Sequence, residues 1–251
     1  MVTLFVIGIG AGLLAGLLGV GGGVLMVPVL IGLGVSPVQA FGTSNLAILI
    51  TSISGTWQNW RSGNLQAASI WQLGLPAIAT AQLGVFLAQR LPGNVLLLGI
   101  AGLYFLNIFL VELRQWLNRN ASPDKDKPTQ PSLMSVLITG ALGGVLAGLF
   151  GIGGGTLMVP LQVLLMRVPI KTAVQTSLGV IIVTACSALS GYAVAGDVLW
   201  VQGFWLGLGG LLGVQVTTRL LPKLPAVLVQ RCFQLLLLSF GIYFIWKAQN
   251  P

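Results

Sequence analysis

Apolar runs follow one another along nearly the whole chain, at about 2–34, 41–57, 67–89, 94–117, 133–166, 172–194, 198–220 and 226–247. A helix needs ~20 apolar residues to cross a bilayer, and most of these runs match that length. They are continuous and do not alternate, which predicts spanning helices and argues against a membrane β-barrel. Runs 2–34 and 133–166 are much longer than one crossing requires. Each holds a glycine cluster followed by a proline, which predicts a broken helix or a helix followed by a re-entrant segment. The one extended polar stretch, 118–132, is rich in proline and charge and reads as a solvated linker. It separates a first transmembrane repeat, 1–117, from a second, 133–251. The predicted fold class is an all-α polytopic membrane protein of two homologous halves, with about eight hydrophobic segments.

The homology of the halves is visible in the letters. Gly12–Pro28 aligns without gaps on Gly144–Pro160, with 13 identities in 17 positions. One inserted residue later, Thr43-Ser44 falls on Thr176-Ser177, Thr51 on Thr184, Ser54 on Ser187 and Gly63 on Gly196. Order maintained over such a span marks an internal structural repeat, a common transporter architecture.

Composition agrees with the apolar pattern: 55% of residues are hydrophobic and 6% charged, against roughly a quarter charged in soluble domains. The formal charge of +8 comes from basic residues scattered through short loops. These are topology signals and do not imply nucleic acid as a partner. Eight plain crossings would divide the basic residues six against six. If the region before Arg61, and its repeat, each cross an odd number of times, the division becomes ten against two, with only Arg90 and Lys247 on the minority side. The positive-inside rule then favours inverted halves, termini outside and the 118–132 linker in the cytoplasm. Tryptophans 57, 60, 71, 116, 200, 205 and 246 fall near helix ends, as interfacial belts require. Cys186 and Cys232 have no metal or redox spacing and read as packing residues.

Candidate chemistry is confined to the repeated elements. Gly8/Gly12/Gly16 and Gly140/Gly144/Gly148 recur every fourth residue and predict close helix packing. The clusters Gly21, Gly22, Gly23 and Gly153, Gly154, Gly155 are different. Consecutive glycines weaken a helix and permit left-handed backbone. A helix restarting after them aims bare N–H groups and a positive dipole end at whatever lies there, which suits an anion. The polar islands Thr43, Ser44, Asn45 and Gln175, Thr176, Ser177 add hydrogen-bonding groups, although Ser and Thr also bond back to their own helix. Gln175 stands where the first half has Gly42, so the two half-sites differ. A nucleotide-binding glycine loop lacks its strand–helix context here. No nucleophile–base arrangement, paired carboxylates or metal cluster is visible, so no catalytic residue, metal or cofactor is expected.

The paired "GLLAGLLGVGGGVLMVP" and "GVLAGLFGIGGGTLMVP", each followed by a Thr-Ser element, resemble the TauE/SafE family of sulfite exporters, also called the sulfonate uptake permease family. The resemblance covers essentially the whole chain. It implies a multi-pass inner-membrane permease for sulfite, an organosulfonate or a related anion, with the glycine clusters and Thr-Ser positions as site elements. The expected partners are a small anionic substrate, the lipid bilayer and a coupling proton or other ion. An anion channel on the same fold and a non-transporting membrane scaffold are the rival readings.

Overall fold

The computed structural model describes residues 1–61, 63, 66–119, 132–220 and 226–249; the linker expected at 118–132 falls, from 120 to 131, outside them. Among the described residues there are ten helices: α1 (Val2–Leu18), α2 (Gly23–Gly32), α3 (Pro37–Arg61), α4 (Ala67–Arg90), α5 (Gly93–Arg119), α6 (Leu133–Phe150), α7 (Gly155–Leu165), α8 (Ile170–Val194), α9 (Trp200–Leu220) and α10 (Ala226–Gln249). The count exceeds the eight apolar runs because each long first run divides in two at its glycines. Gly19 and Gly151 close α1 and α6 in the left-handed conformation (φ 68° and 62°), each returning its N–H to the carbonyl four residues back. Gly22 and Gly154, also left-handed, start α2 and α7.

Among the described residues, four helices are long and apolar enough to cross a membrane, 67–90, 93–110, 133–150 and 171–194, while α1, α2 and α7 are shorter apolar helices. The protein is a multi-pass membrane protein. Helix α3 is polar for such a setting, and the fold accommodates it by surrounding it. It packs against α2, α8 and α9, so that Thr43, Ser44, Asn45, Thr51 and Ser52 are fully buried. Polar side chains at membrane depth are tolerated when protein shields them from lipid.

The glycine ridges of α1 and α6 do what their spacing predicts, and each finds its partner in the other half. Gly8, Gly12 and Gly16 lie against Leu206 and Gly209, Gly210, then Val214 and Thr217 of α9. Both sequences ascend together, so the two helices run parallel. Gly140, Gly144 and Gly148 lie in the same manner against Leu73, Ala77 and Ala81 of α4. Without a side chain between them, the backbones approach closely enough for extensive van der Waals contact.

These contacts also order the ends of the bundle. Gly42, near the start of α3, packs on the Asp197 carbonyl and Tyr192, whereas Gly55 packs on Leu178, so α3 and α8 are antiparallel. At one end, here the Asp197 end, lie the start of α3, the end of α8 and the start of α9. The start of α5 joins them through Gly93 against Pro37 (3.6 Å), and the end of α2 lies within reach of Tyr243 on α10. At the other, the Arg61 end, lie the end of α3 and the starts of α4 and α8; Gly179 on Ile70 and Gly191 on Val85 keep α8 parallel to α4. The outer ends of α1 and α2 are thus both at the Asp197 end, and those of α6 and α7 both at the Arg61 end.

Trp57, Trp60, Trp71, Trp200, Trp205 and Trp246 are exposed, and the Trp116 side chain lies outside the described residues. Cys186, expected as a packing residue, is instead exposed on the outer surface of α8. The side chain of Cys232 lies outside the described residues.

Candidate functional site

The two glycine breaks meet in the centre of the bundle. A side chain at Gly23 would collide with Ile48 (2.6 Å), the Ile152 backbone (2.8 Å) and the Gly151 carbonyl (2.9 Å). One at Gly155 would collide with the Gly19 carbonyl (2.5 Å), Ile181 (2.7 Å) and the Val20 backbone (3.1 Å). Each cluster therefore rests directly on the other. Gly21 and Gly153 both face Ile48 and Ile181, which fill the space between the loops. All of these residues are buried.

Two hydroxyls fasten the loops across the repeat. Ser44 Oγ donates to the Gly151 carbonyl (2.6 Å) and to Phe41 O (2.9 Å). Ser177 Oγ donates to the Gly19 carbonyl (2.7 Å) and to Val174 O (2.9 Å). Gly19 and Gly151 carry the carbonyls left over where α1 and α6 end, so these bonds satisfy groups that lipid could not. Ser44 and Ser177 each have one proton, and in this arrangement it is committed to protein carbonyls.

The amides tell the opposite story. Neither Gly22 nor Gly154 is capped by a side chain. The N–H groups of Gly21, Gly22, Gly23 and Val24 donate to no acceptor among the described residues, and the same holds for Gly153, Gly154, Gly155 and Thr156. Two short helices thus turn their positive ends and free donors toward one central point. Thr156, on the first turn of α7, adds a buried hydroxyl with no partner. No charged side chain among the described residues is buried, so whatever binds here meets neutral donors.

The remaining expected site residues divide. Asn45 is fully buried and donates its Nδ2 to Phe41 O (3.0 Å), leaving Oδ1 without a partner. Thr43 is buried but turned away from the glycine loops: its Oγ1 accepts from the Leu199 N–H (3.0 Å), pinning α3 to the turn before α9. Thr176 is buried and Gln175 half-buried on the second turn of α8, and neither bonds to a glycine loop. The glycines and serines are brought together; Thr43 and Gln175 are not part of that cluster.

Sequence reasoning passed over Ile48 and Ile181, which stand at the centre, and over a second pair of ties. Gln82 on α4 donates to Ser190 Oγ (3.1 Å) and to Ser187 on α8, while Gln215 on α9 donates to Ser54 Oγ on α3 (2.9 Å). Continuing the repeat's register beyond Ser54 and Ser187 aligns Gln82 with Gln215, and the same register aligns Ile48 with Ile181. That extension was the available signal.

The sequence that builds this geometry is similar to known proteins over most of its length. A family description, sulfite exporter TauE/SafE, matches residues 4–244. The probable membrane transporter protein YunE of Bacillus subtilis is 28% identical, across 98% of this chain and 98% of its own length. A probable membrane transporter protein of Xylella fastidiosa is 30% identical across 94% of this chain and 92% of its own. The probable membrane transporter protein MJ0441 of Methanocaldococcus jannaschii is 28% identical across 76% of this chain and 72% of its own.

Proposed function

This chain belongs to the sulfite exporter TauE/SafE family, and from that premise we propose that it is a secondary transporter moving a small sulfur-containing anion, sulfite or an organosulfonate, across the cell membrane (the inner membrane where there are two). The observation that carries the proposal is the meeting of two helix N-termini, with their amides free, at the buried centre between α1–α2 and α6–α7. A tetrahedral or pyramidal oxyanion needs several donors from different directions, and opposed backbone amides supply them without a formal counter-charge.

The two halves are an inverted repeat in this reading. The outer ends of α1 and α2 share one end of the bundle and those of α6 and α7 the other, which supports two re-entrant hairpins entering from opposite faces. The Arg61 end carries Arg61, Arg167, Lys171 and Arg231, and the Asp197 end carries Arg90 and Lys247. The Arg61 end, with the 118–132 linker, accordingly faces the cytoplasm. Loops in mutual contact, with Ile48 and Ile181 between them, describe a closed form. When the halves part, the anion takes the amides of Gly21–Gly23 and Gly153–Gly155, and Ser44 and Ser177 are released from the opposing carbonyls to donate to it. One half rocking against the other then gives alternating access.

The test is flux in proteoliposomes. Purified protein is challenged with sulfite, sulfate, thiosulfate, small sulfonates and non-sulfur carboxylates, with and without a proton gradient. Saturable uptake of a sulfur anion, accelerated by the same anion loaded on the opposite side, is the expected result. Ohmic current without counterflow would replace the transporter with a channel. No movement of any anion through folded protein would overturn the proposal.

A further inference from the structure

Buried polar groups without partners are distributed unevenly in this molecule. On α3 they are Asn45 Oδ1, Ser52 Oγ, Thr56 Oγ1 and Asn59 Nδ2. At 100° per residue these four positions fall within an arc of about 60°, so they form one stripe along the helix. The stripe is on the side of α3 away from α9, which packs against Leu46, Ala47, Ile50 and Thr51. It begins beside the glycine centre and descends to the Arg61 end, Ser52 to Asn59 covering about 10 Å of axis. Two more unpartnered groups, Thr139 Oγ1 on α6 and Gln162 Nε2 on α7, belong to the hairpin whose outer ends lie at that same end. Among the described residues, none lies between the centre and the Asp197 end.

The repeat supplies an internal control. In its register, Ser52, Thr56 and Asn59 correspond to Ala185, Leu189 and Tyr192 of α8. The first two are apolar, and the third is satisfied, because Tyr192 Oη donates to Gly148 O (2.6 Å). One half-path is therefore polar and unpaired where its counterpart is apolar or paired. A buried hydroxyl or amide lacking a partner costs about 1–3 kcal/mol, and more at membrane depth, so a line of them calls for water or a ligand in some state of the protein.

We propose that the α3 stripe of Ser52, Thr56 and Asn59 lines a hydrated half-pathway along which the anion travels between the glycine centre and the Arg61 end, the half toward the Asp197 end remaining comparatively dry. The proposal rests on the transport reading above and gives it a route. Two hydroxyls and an amide N–H are donors suited to a partly desolvated oxyanion, and being neutral they release it readily. Asn45, whose free atom is an acceptor, holds water at the inner end of the path.

Thiol labelling tests this. In a background with Cys186 and Cys232 replaced by serine, single cysteines are placed at Ser52, Thr56 and Asn59, at Ala185 and Leu189 as repeat-matched controls, and at Arg61 to mark the side. A membrane-impermeant sulfonatoethyl methanethiosulfonate, itself a small sulfonate, is applied to intact cells and to inverted vesicles. The α3 thiols should react from the side that labels Arg61→Cys, about tenfold faster than the α8 controls, since access and thiolate character govern the rate. Equal rates on α3 and α8, or α3 labelling only from the opposite side, would overturn the pathway. Ser52→Cys is nearly isosteric. Deuterium uptake by the unmodified protein provides a readout without mutation, with the amides of 52–59 expected to exchange faster than those of 185–192. Labelling requires no cargo, so a silent flux panel with polarised labelling would count against the transport reading, and flux without polarised labelling against the pathway.

Discussion

Pro28 and Tyr104 illustrate how single residues sustain a broken helix within a membrane. Pro28 lies inside α2 and has no N–H, which leaves the carbonyl of Val24 without its helical donor. Tyr104 Oη reaches from α5 to donate to that carbonyl (2.9 Å), and its ring is fully buried against Phe244. Tyr192 does the same service for α6, donating to Gly148 O in the last turn, where the helix has run out of amides. Tyr104→Phe and Tyr192→Phe preserve the packing and remove only the donor. Each should lower stability by about 1–3 kcal/mol, the cost of a buried carbonyl left unpaired. Thermal unfolding in detergent checks this, and an unchanged midpoint in both variants would mean that water reaches these carbonyls. Ser44→Ala and Ser177→Ala belong to the same class, each orphaning one carbonyl of the opposite loop, and the near-symmetry of their bonds predicts similar losses.

Among the elements, the decisive ones are the two glycine turns, and they are not equally tolerant. Gly22 and Gly154 both have left-handed backbone (φ 83° and 70°), where any residue with a Cβ is strained by roughly 1–2 kcal/mol. A methyl group at Gly22 would stand 2.9 Å from the Ala11 carbonyl, whereas one at Gly154 would be driven into the Gly143 carbonyl of α6. Gly154→Ala should therefore be the more damaging, lowering both the unfolding midpoint and flux below those of Gly22→Ala. Equal, wild-type behaviour would show that the turns are looser than described. These breaks were legible in the sequence, because a glycine triplet followed by a helix-forming run and a proline is a local signal with a local cause. The glycine ridges of α1 and α6 were legible as packing faces for the same reason. Their partners were not: that α1 lies on α9 and α6 on α4 depends on contacts between segments far apart in the chain. The partner of Thr43 was not legible on the same account. That partner follows from which face of α3 meets the α8–α9 turn, and no pattern within 41–45 encodes that.

At the scale of the whole molecule, the repeat is interlocked rather than merely doubled. The first helix of each half lies on the fourth helix of the other, α1 on α9 and α6 on α4, while α3 crosses α8 and α5 packs on α10. Each serine lock and each glutamine tie also crosses from one half to the other. Neither half can pack its own ridge of glycines or bond the Gly19 or Gly151 carbonyl at the end of its first helix, so each is incomplete until the other arrives. All of these contacts join residues within 1–119 to residues within 132–249, and the length of the segment connecting them matters less than the surfaces it joins. The chain cut within 120–131 should consequently still assemble. Expressed alone, residues 1–119 and 132–251 should each fail to accumulate, because buried polar groups would face lipid. Expressed together, with an affinity tag on one half only, they should co-purify and retain anion flux. Halves that accumulate separately and do not co-purify would show that each folds by itself, and the central site would then have to be sought within a half instead of between the two.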